Sequence, residues 1–146
     1  MADAYRREQN QPAVRELDSA TAYSLVVHSR GDNASPLIFA CSFLDFLAIR
    51  SEVFDVVAVT GNSMGWYTAL ACAGAVSPEH GFAIADSMGI NSQKHAPGGQ
   101  SVLVLAAEDW TVDPALQAEV EAAMARHGVL PSIRLGGMLV VAGPVA

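Results

Sequence analysis

Residues Val57 to Leu70 read VAVTGNSMGWYTAL, and the reading of this stretch decides the rest. The β-branched run Val53 to Thr60 predicts a buried strand. Gly61-Asn62-Ser63-Met64-Gly65 predicts a sharp turn, and Trp66 to Ala73 a helix stopped by Gly74. A strand that reverses directly into a helix brings the residue two before the apex close to the residue two after it. Glycines at 61 and 65 suit that approach, and Ser63 sits at the apex. Such an elbow aims the Met64 amide, at the positive end of the following helix, toward a point where an oxyanion could form. The pentapeptide alone is a weak signal, since a small serine in a glycine turn can simply turn. Its strand-before, helix-after context favours a nucleophile.

Outward from the elbow the chain is apolar and acidic. At 146 residues it allows one core, or one domain with a small subdomain. Hydrophobic residues make up 51 % and charged ones 16 %, which predicts elements covered on more than one side. A net charge of −7 without any basic cluster excludes nucleic acid as the main partner, because phosphate binding draws on Lys and Arg. The polar N-terminus has no signal-peptide core, and the most apolar stretch, Leu37 to Ile49, is interrupted by Asp45. The expectation is a soluble, cytoplasmic protein with no membrane contact. Cys41 and Cys72 lie in apolar helical patterns without metal-ligand spacing, so buried thiols and no metal site are expected.

Residues Met1 to Gln11 are polar and unpatterned, and Pro12 to Leu17 allows a short helical turn. Tyr23 to His28 is aromatic and β-branched, and Ser29 to Ala34 reads as a loop. Ser35 as N-cap and Pro36 in the first turn predict a helix to Arg50, its apolar positions so many that burial on several sides follows. Ser77-Pro78 opens a further helix to about Gln93, with His80 in its first turn as a surface residue. Lys94 to Gly99 marks a boundary between residues 1–97 and 98–146. Beyond it come a strand at Ser101 to Ala107, a helix from Asp113-Pro114 to His127 ended by Gly128, and strands at Val129 to Leu135 and Met138 to Ala142 turned by Gly136-Gly137. This β-α-β-β string is three quarters of a ferredoxin-like unit.

With these elements in place the chain resembles the malonyl-CoA:acyl carrier protein transacylase family, which includes the acyltransferase domains of fatty acid and polyketide synthases. The residues that carry the resemblance are Gly61-Asn62-Ser63-Met64-Gly65-Trp66 and the following TALACAGAVSPEHGFAIADSMG. A looser match runs from about Ser35 to Pro144. The resemblance implies an α/β fold: part of an α/β-hydrolase-like core in residues 1–97 and an incomplete ferredoxin-like subdomain in residues 98–146.

By the same resemblance Ser63 is the nucleophile and the Met64 amide an oxyanion donor. The substrate is acyl-CoA, no cofactor is bound, and the acceptor is the phosphopantetheine thiol of an acyl carrier protein. Asn62 and Trp66 stand where the family has histidine and glutamate, and Met88 where it has the arginine that pairs with the malonyl carboxylate. These three are the substrate-binding candidates, and a thioether at 88 favours a neutral acyl group or an altered carboxylate site, so the donor is malonyl-CoA or a neutral acyl-CoA. None of His28, His80, His95 or His127 lies in a segment matching the family's histidine motif, and the glycine-glutamine-glycine start is not recognisable. The expectation is a chain cut at both ends. Hydrolysis on the same fold, and carrier-protein binding without catalysis, are the competing readings.

Overall fold

The computed structural model describes residues 1–95 and 98–144, in two compact units, Met1–His95 and Ala96–Ala146. The architecture mixes helix and sheet.

The first unit holds α1 (Ala2–Glu8), α2 (Val14–Asp18), α3 (Leu25–His28), α4 (Gly31–Leu47), α5 (Gly65–Cys72) and α6 (Pro78–His95). Its core gathers Val14, Phe39, Ala71, Phe82 and Ala85, with the Phe82 ring edge-on to both Tyr5 and Phe39. Small residues set the helix spacing. A Cβ on Gly89 would lie 2.3 Å from the Gly31 carbonyl oxygen, and one on Gly81 2.8 Å from the Ala71 Cβ, so α6 sits tight against α4 and α5. Ser77 caps α6 as expected, its Oγ accepting from the His80 amide at 3.2 Å.

Four sequence expectations change here. The polar segment Met1 to Gln11 contains the helix α1, held by Arg6, which is fully buried. The predicted loop Ser29 to Ala34 belongs mostly to α4, which starts at Gly31 rather than at Ser35-Pro36. A distant side chain makes that start possible: Gln93 Oε1, from α6, accepts from the Gly31 amide at 2.9 Å. Finally, Val53 to Thr60 forms no strand, because none of the described residues of this unit pairs with it. Strands exist by pairing, and the β-branched pattern alone cannot supply the neighbour. Val57 is accordingly 90 % exposed, and Leu44 and Leu47 on α4 stand 63 % and 61 % exposed, against the expectation of burial on several sides.

The second unit holds β1 (Gly98–Val104), α7 (Pro114–His127), β2 (Leu130–Leu135) and β3 (Met138–Pro144). The strand order is β1-β3-β2, with β3 antiparallel to both neighbours, so β1 and β2 run parallel and α7 is the crossover between them. Leu105, Leu139 and Val141 pack with Leu116, Val120 and Met124 of α7 on one face. Asp113 caps α7 by accepting from Ala115 and Leu116 amides, and Gly128 ends it at φ +64°. The β2–β3 hairpin turns at Gly136, φ +57°. The first strand ends at Val104, three residues short of the expected Ala107. Beyond it Leu105 donates to the Gly137 carbonyl and Ala106 bridges to Val112.

Candidate active site

Ser63 is exposed and has φ +53°, a backbone conformation rare for a residue with a side chain. The close approach at the turn is real on one side only. A Cβ on Gly61 would lie 2.1 Å from the Gly65 carbonyl carbon and oxygen, whereas one on Gly65 would meet nothing within 4 Å. Gly61 is therefore required by contact, and Gly65 is not.

The turn is stitched by short-range bonds. Gly65 donates to the Asn62 carbonyl at 2.8 Å and Trp66 to the Ser63 carbonyl at 3.1 Å. Among the described residues, no backbone amide from Asp55 to Met64 donates to a protein acceptor, so the Met64 amide is free at the start of α5. The Met64 side chain is anchored in the core of the first unit, which fixes the turn from below.

Asn62, Ser63, Met64 and Trp66 thus come together on the elbow and the first turn of α5, with Trp66 60 % exposed. Met88 lies apart in sequence on α6 and is 38 % exposed, with no polar contact. A cavity of about 280 Å³ borders Gly65 and Thr60, lined also by Ile38, Phe46, Thr68 and Cys72. Ser63 is not among its lining residues.

The histidines are engaged elsewhere or stand at helix ends. His28 Nδ1 accepts from the Ser24 amide at 2.9 Å and its Nε2 lies 3.2 Å from the Leu17 carbonyl. His80 Nδ1 is 3.3 Å from Ser77 Oγ, while His95 and His127 close α6 and α7. Among the described residues no histidine hydrogen-bonds to Ser63. No group of His, Cys, Asp and Glu among them could hold a metal ion, and no helix is long and apolar enough to cross a membrane. Both cysteines are free thiols. Cys41 is exposed, contrary to expectation, and Cys72 is half-buried, its pKa raised by that burial.

Sequence reading missed the most buried polar cluster. Arg6 donates to Asp86, to the Asp32 carbonyl at 2.7 Å, to Asn33 Oδ1 at 3.0 Å and to the Pro12 carbonyl. Burial holds the Asp86 carboxyl above its ordinary value against the opposing pull of Arg6, and its Oδ2 meets no donor. The sequence held no direct signal for this cluster: Pro36 reads as a first-turn proline, and only the helix start at Gly31 puts it beyond the first turn, where it frees the Asp32 carbonyl.

No protein-family model matches the sequence, and no curated protein matches it. Solved structures do match. The malonyl CoA-acyl carrier protein transacylase of Burkholderia pseudomallei superposes with a TM-score of 0.73 at 18 % identity, covering 98 % of this chain and 47 % of that one. A malonyl-transacylase solved in complex with its type II polyketide synthase acyl-carrier protein gives 0.70 at 17 % identity, covering 98 % and 46 %. The acyltransferase domain from module 8 of the salinomycin polyketide synthase gives 0.67 at 20 %, covering 98 % and 32 %.

The chain therefore has the fold of part of an acyltransferase. Its structural neighbours are malonyl-CoA:acyl carrier protein transacylases and polyketide synthase acyltransferase domains, and it spans about half the length of the transacylases or less of the larger chain.

Proposed function

We propose that this chain carries the nucleophile of an acyltransferase that moves an acyl group from acyl-CoA to an acyl carrier protein. The observation that carries the reading is the elbow itself. Ser63 is held at positive φ in front of a helix start, beside a free Met64 amide, in a fold shared with acyl carrier protein transacylases.

Ser63 Oγ attacks the thioester carbonyl carbon and forms a C–O bond. The Met64 amide takes up part of the charge on the carbonyl oxygen, and the C–S bond breaks to release CoA thiol. The phosphopantetheine thiol of the carrier protein then attacks the acyl-serine and restores Ser63. A serine hydroxyl needs a base for the first step. With no histidine bonded to Ser63 among the described residues, low turnover by these 146 residues alone is expected.

The finer fold reading belongs to the same proposal: residues 1–97 as part of an α/β-hydrolase-like core, and 98–146 as part of a ferredoxin-like subdomain. The β1-β3-β2 order with parallel outer strands supports the second assignment. Asn62, Trp66 and Met88 are the proposed substrate contacts. With methionine at 88, a neutral acyl chain is favoured over malonate. A second reading, in which the chain binds carrier protein without catalysis, predicts no acyl adduct on Ser63.

Intact mass spectrometry after incubation with malonyl-CoA, acetyl-CoA and a longer acyl-CoA tests the proposal. An adduct that disappears in Ser63→Ala supports the transferase, and its mass reports the acyl preference. No adduct with any donor favours the binding reading.

A further inference from the structure

Met64 is the residue through which the elbow reaches the core. Within the turn Gly61 to Gly65, Asn62 and Ser63 are exposed, while the Met64 side chain packs against the cluster of Phe39, Ala71 and Phe82. Tyr67 packs there too, and the spacing 64, 67, 71 forms one stripe of a helix. Met64 therefore carries the buried stripe of α5 past the helix start and into the turn itself.

Little else holds the turn. Met64 occupies the cap position of α5 with helical angles, φ −54° and ψ −31°, and the start of α5 has no side-chain cap. The segment that enters the turn, Asp55 to Thr60, pairs with no strand among the described residues. Ser63 has φ +53°, a conformation that persists only where the surrounding structure over-determines it. Two contacts are left to do so: the close approach of Gly61 to the Gly65 carbonyl, and the Met64 side chain directly after Ser63.

We infer that Met64 acts through its side chain as a positioning residue, holding Ser63 in its left-handed conformation and the Met64 amide in line with the carbonyl that Ser63 attacks. This rests on the reading of Ser63 as the nucleophile, and it gives the side chain at 64 a role beside that of its amide. A thioether suits the task, because an unbranched chain with three rotatable bonds fills an irregular gap between helices. Leucine conserves the volume and can serve as well, whereas alanine leaves the turn without its anchor.

The test compares Met64→Ala, Met64→Leu and Val14→Ala, the last removing apolar atoms from the same core on α2, away from the elbow. All are measured where circular dichroism shows them folded. One arm is amide hydrogen exchange. Gly65 and Trp66 donate to the Asn62 and Ser63 carbonyls, so their amides report the turn, and the fully buried Ala85 reports the core. The other arm is the single-turnover rate at which p-nitrophenyl acetate acetylates Ser63, followed by intact mass with Ser63→Ala as the blank. In that step the Ser63 C–O bond forms, p-nitrophenolate leaves and the serine proton passes to buffer.

Met64→Ala should speed exchange at Gly65 and Trp66 more than at Ala85. It should also slow acetylation by roughly 10²-fold, the cost of misplacing reacting groups by about 1 Å. Met64→Leu should restore both readouts, and Val14→Ala should leave the turn amides in step with Ala85 and the acetylation rate unchanged. Turn amides that move only in step with Ala85 in Met64→Ala overturn the inference. So does a Met64→Leu protein as slow as Met64→Ala, or a Val14→Ala protein slowed equally. A parent chain that takes no acetyl group refutes Ser63 as nucleophile instead, and exchange alone then decides whether Met64 holds the turn.

Discussion

Arg6 donates to the backbone carbonyl of Asp32, the one carbonyl in α4 that Pro36 deprives of its helical donor. A proline inside a helix costs about 3 kcal/mol, in part through that lost bond. Here a guanidinium from α1, twenty-six residues away, fills the gap and continues to Asp86 on α6. One buried cation thereby joins three helices.

Arg6→Ala should lower the stability of the chain by about 3–5 kcal/mol, since it strands the Asp86 carboxylate and three further acceptors in the interior. Arg6→Lys should recover only part, because a single ammonium cannot reproduce the planar fork. Urea unfolding followed by circular dichroism measures both. A loss below about 1 kcal/mol for Arg6→Ala would mean that the network is not buried as described.

Gly61 and Gly65 should behave oppositely. Gly61→Ala forces a Cβ against the Gly65 carbonyl, and a destabilisation of about 1–3 kcal/mol is expected. Gly65→Ala meets open space at the first position of α5, so it should be neutral or stabilise by up to about 1 kcal/mol. Equal effects of the two substitutions would contradict the asymmetric turn.

Ser63→Gly relieves a side chain held at φ +53° and should raise stability by about 1 kcal/mol, while abolishing any acyl adduct. Ser63→Ala keeps the strain and should stay within about 0.5 kcal/mol of the parent. Thermal melts of the three proteins decide this, and a Ser63→Gly protein less stable than Ser63→Ala would remove the strain argument.

Asp32 and Asp86 should pull the pH profile in opposite directions. Arg30 grips the Asp32 carboxylate through Nε at 3.0 Å and Nη2 at 2.8 Å, holding its pKa below the ordinary value. That contribution is present above the unfolded pKa and is lost as pH falls through the lower folded one. Arg30 is half exposed, so the effect stays below about 1 kcal/mol. Asp86, raised by burial, contributes most below the unfolded carboxylate value, and that contribution declines as pH rises through its higher folded pKa. Comparing the parent with Arg30→Gln by urea unfolding between about pH 7 and about pH 3 isolates the first effect. Their difference should shrink toward the acid end, and a constant difference would exclude the ion pair as its source.

Local chemistry is what the sequence by itself determined. Ser77 as a cap, Asp113-Pro114 and Gly128 around α7, Gly136 in the hairpin and the glycine turn at Ser63 are all legible, because the groups that satisfy each one lie within a few residues. Tertiary structure decided where the partners are far apart in the chain. α4 begins at Gly31 because Gln93 caps it and Arg6 repairs its proline, and α1 is anchored by an aspartate eighty residues away. The stretch Val53 to Thr60 has the composition of a strand and forms none, since a ladder needs a second strand and composition cannot bring one.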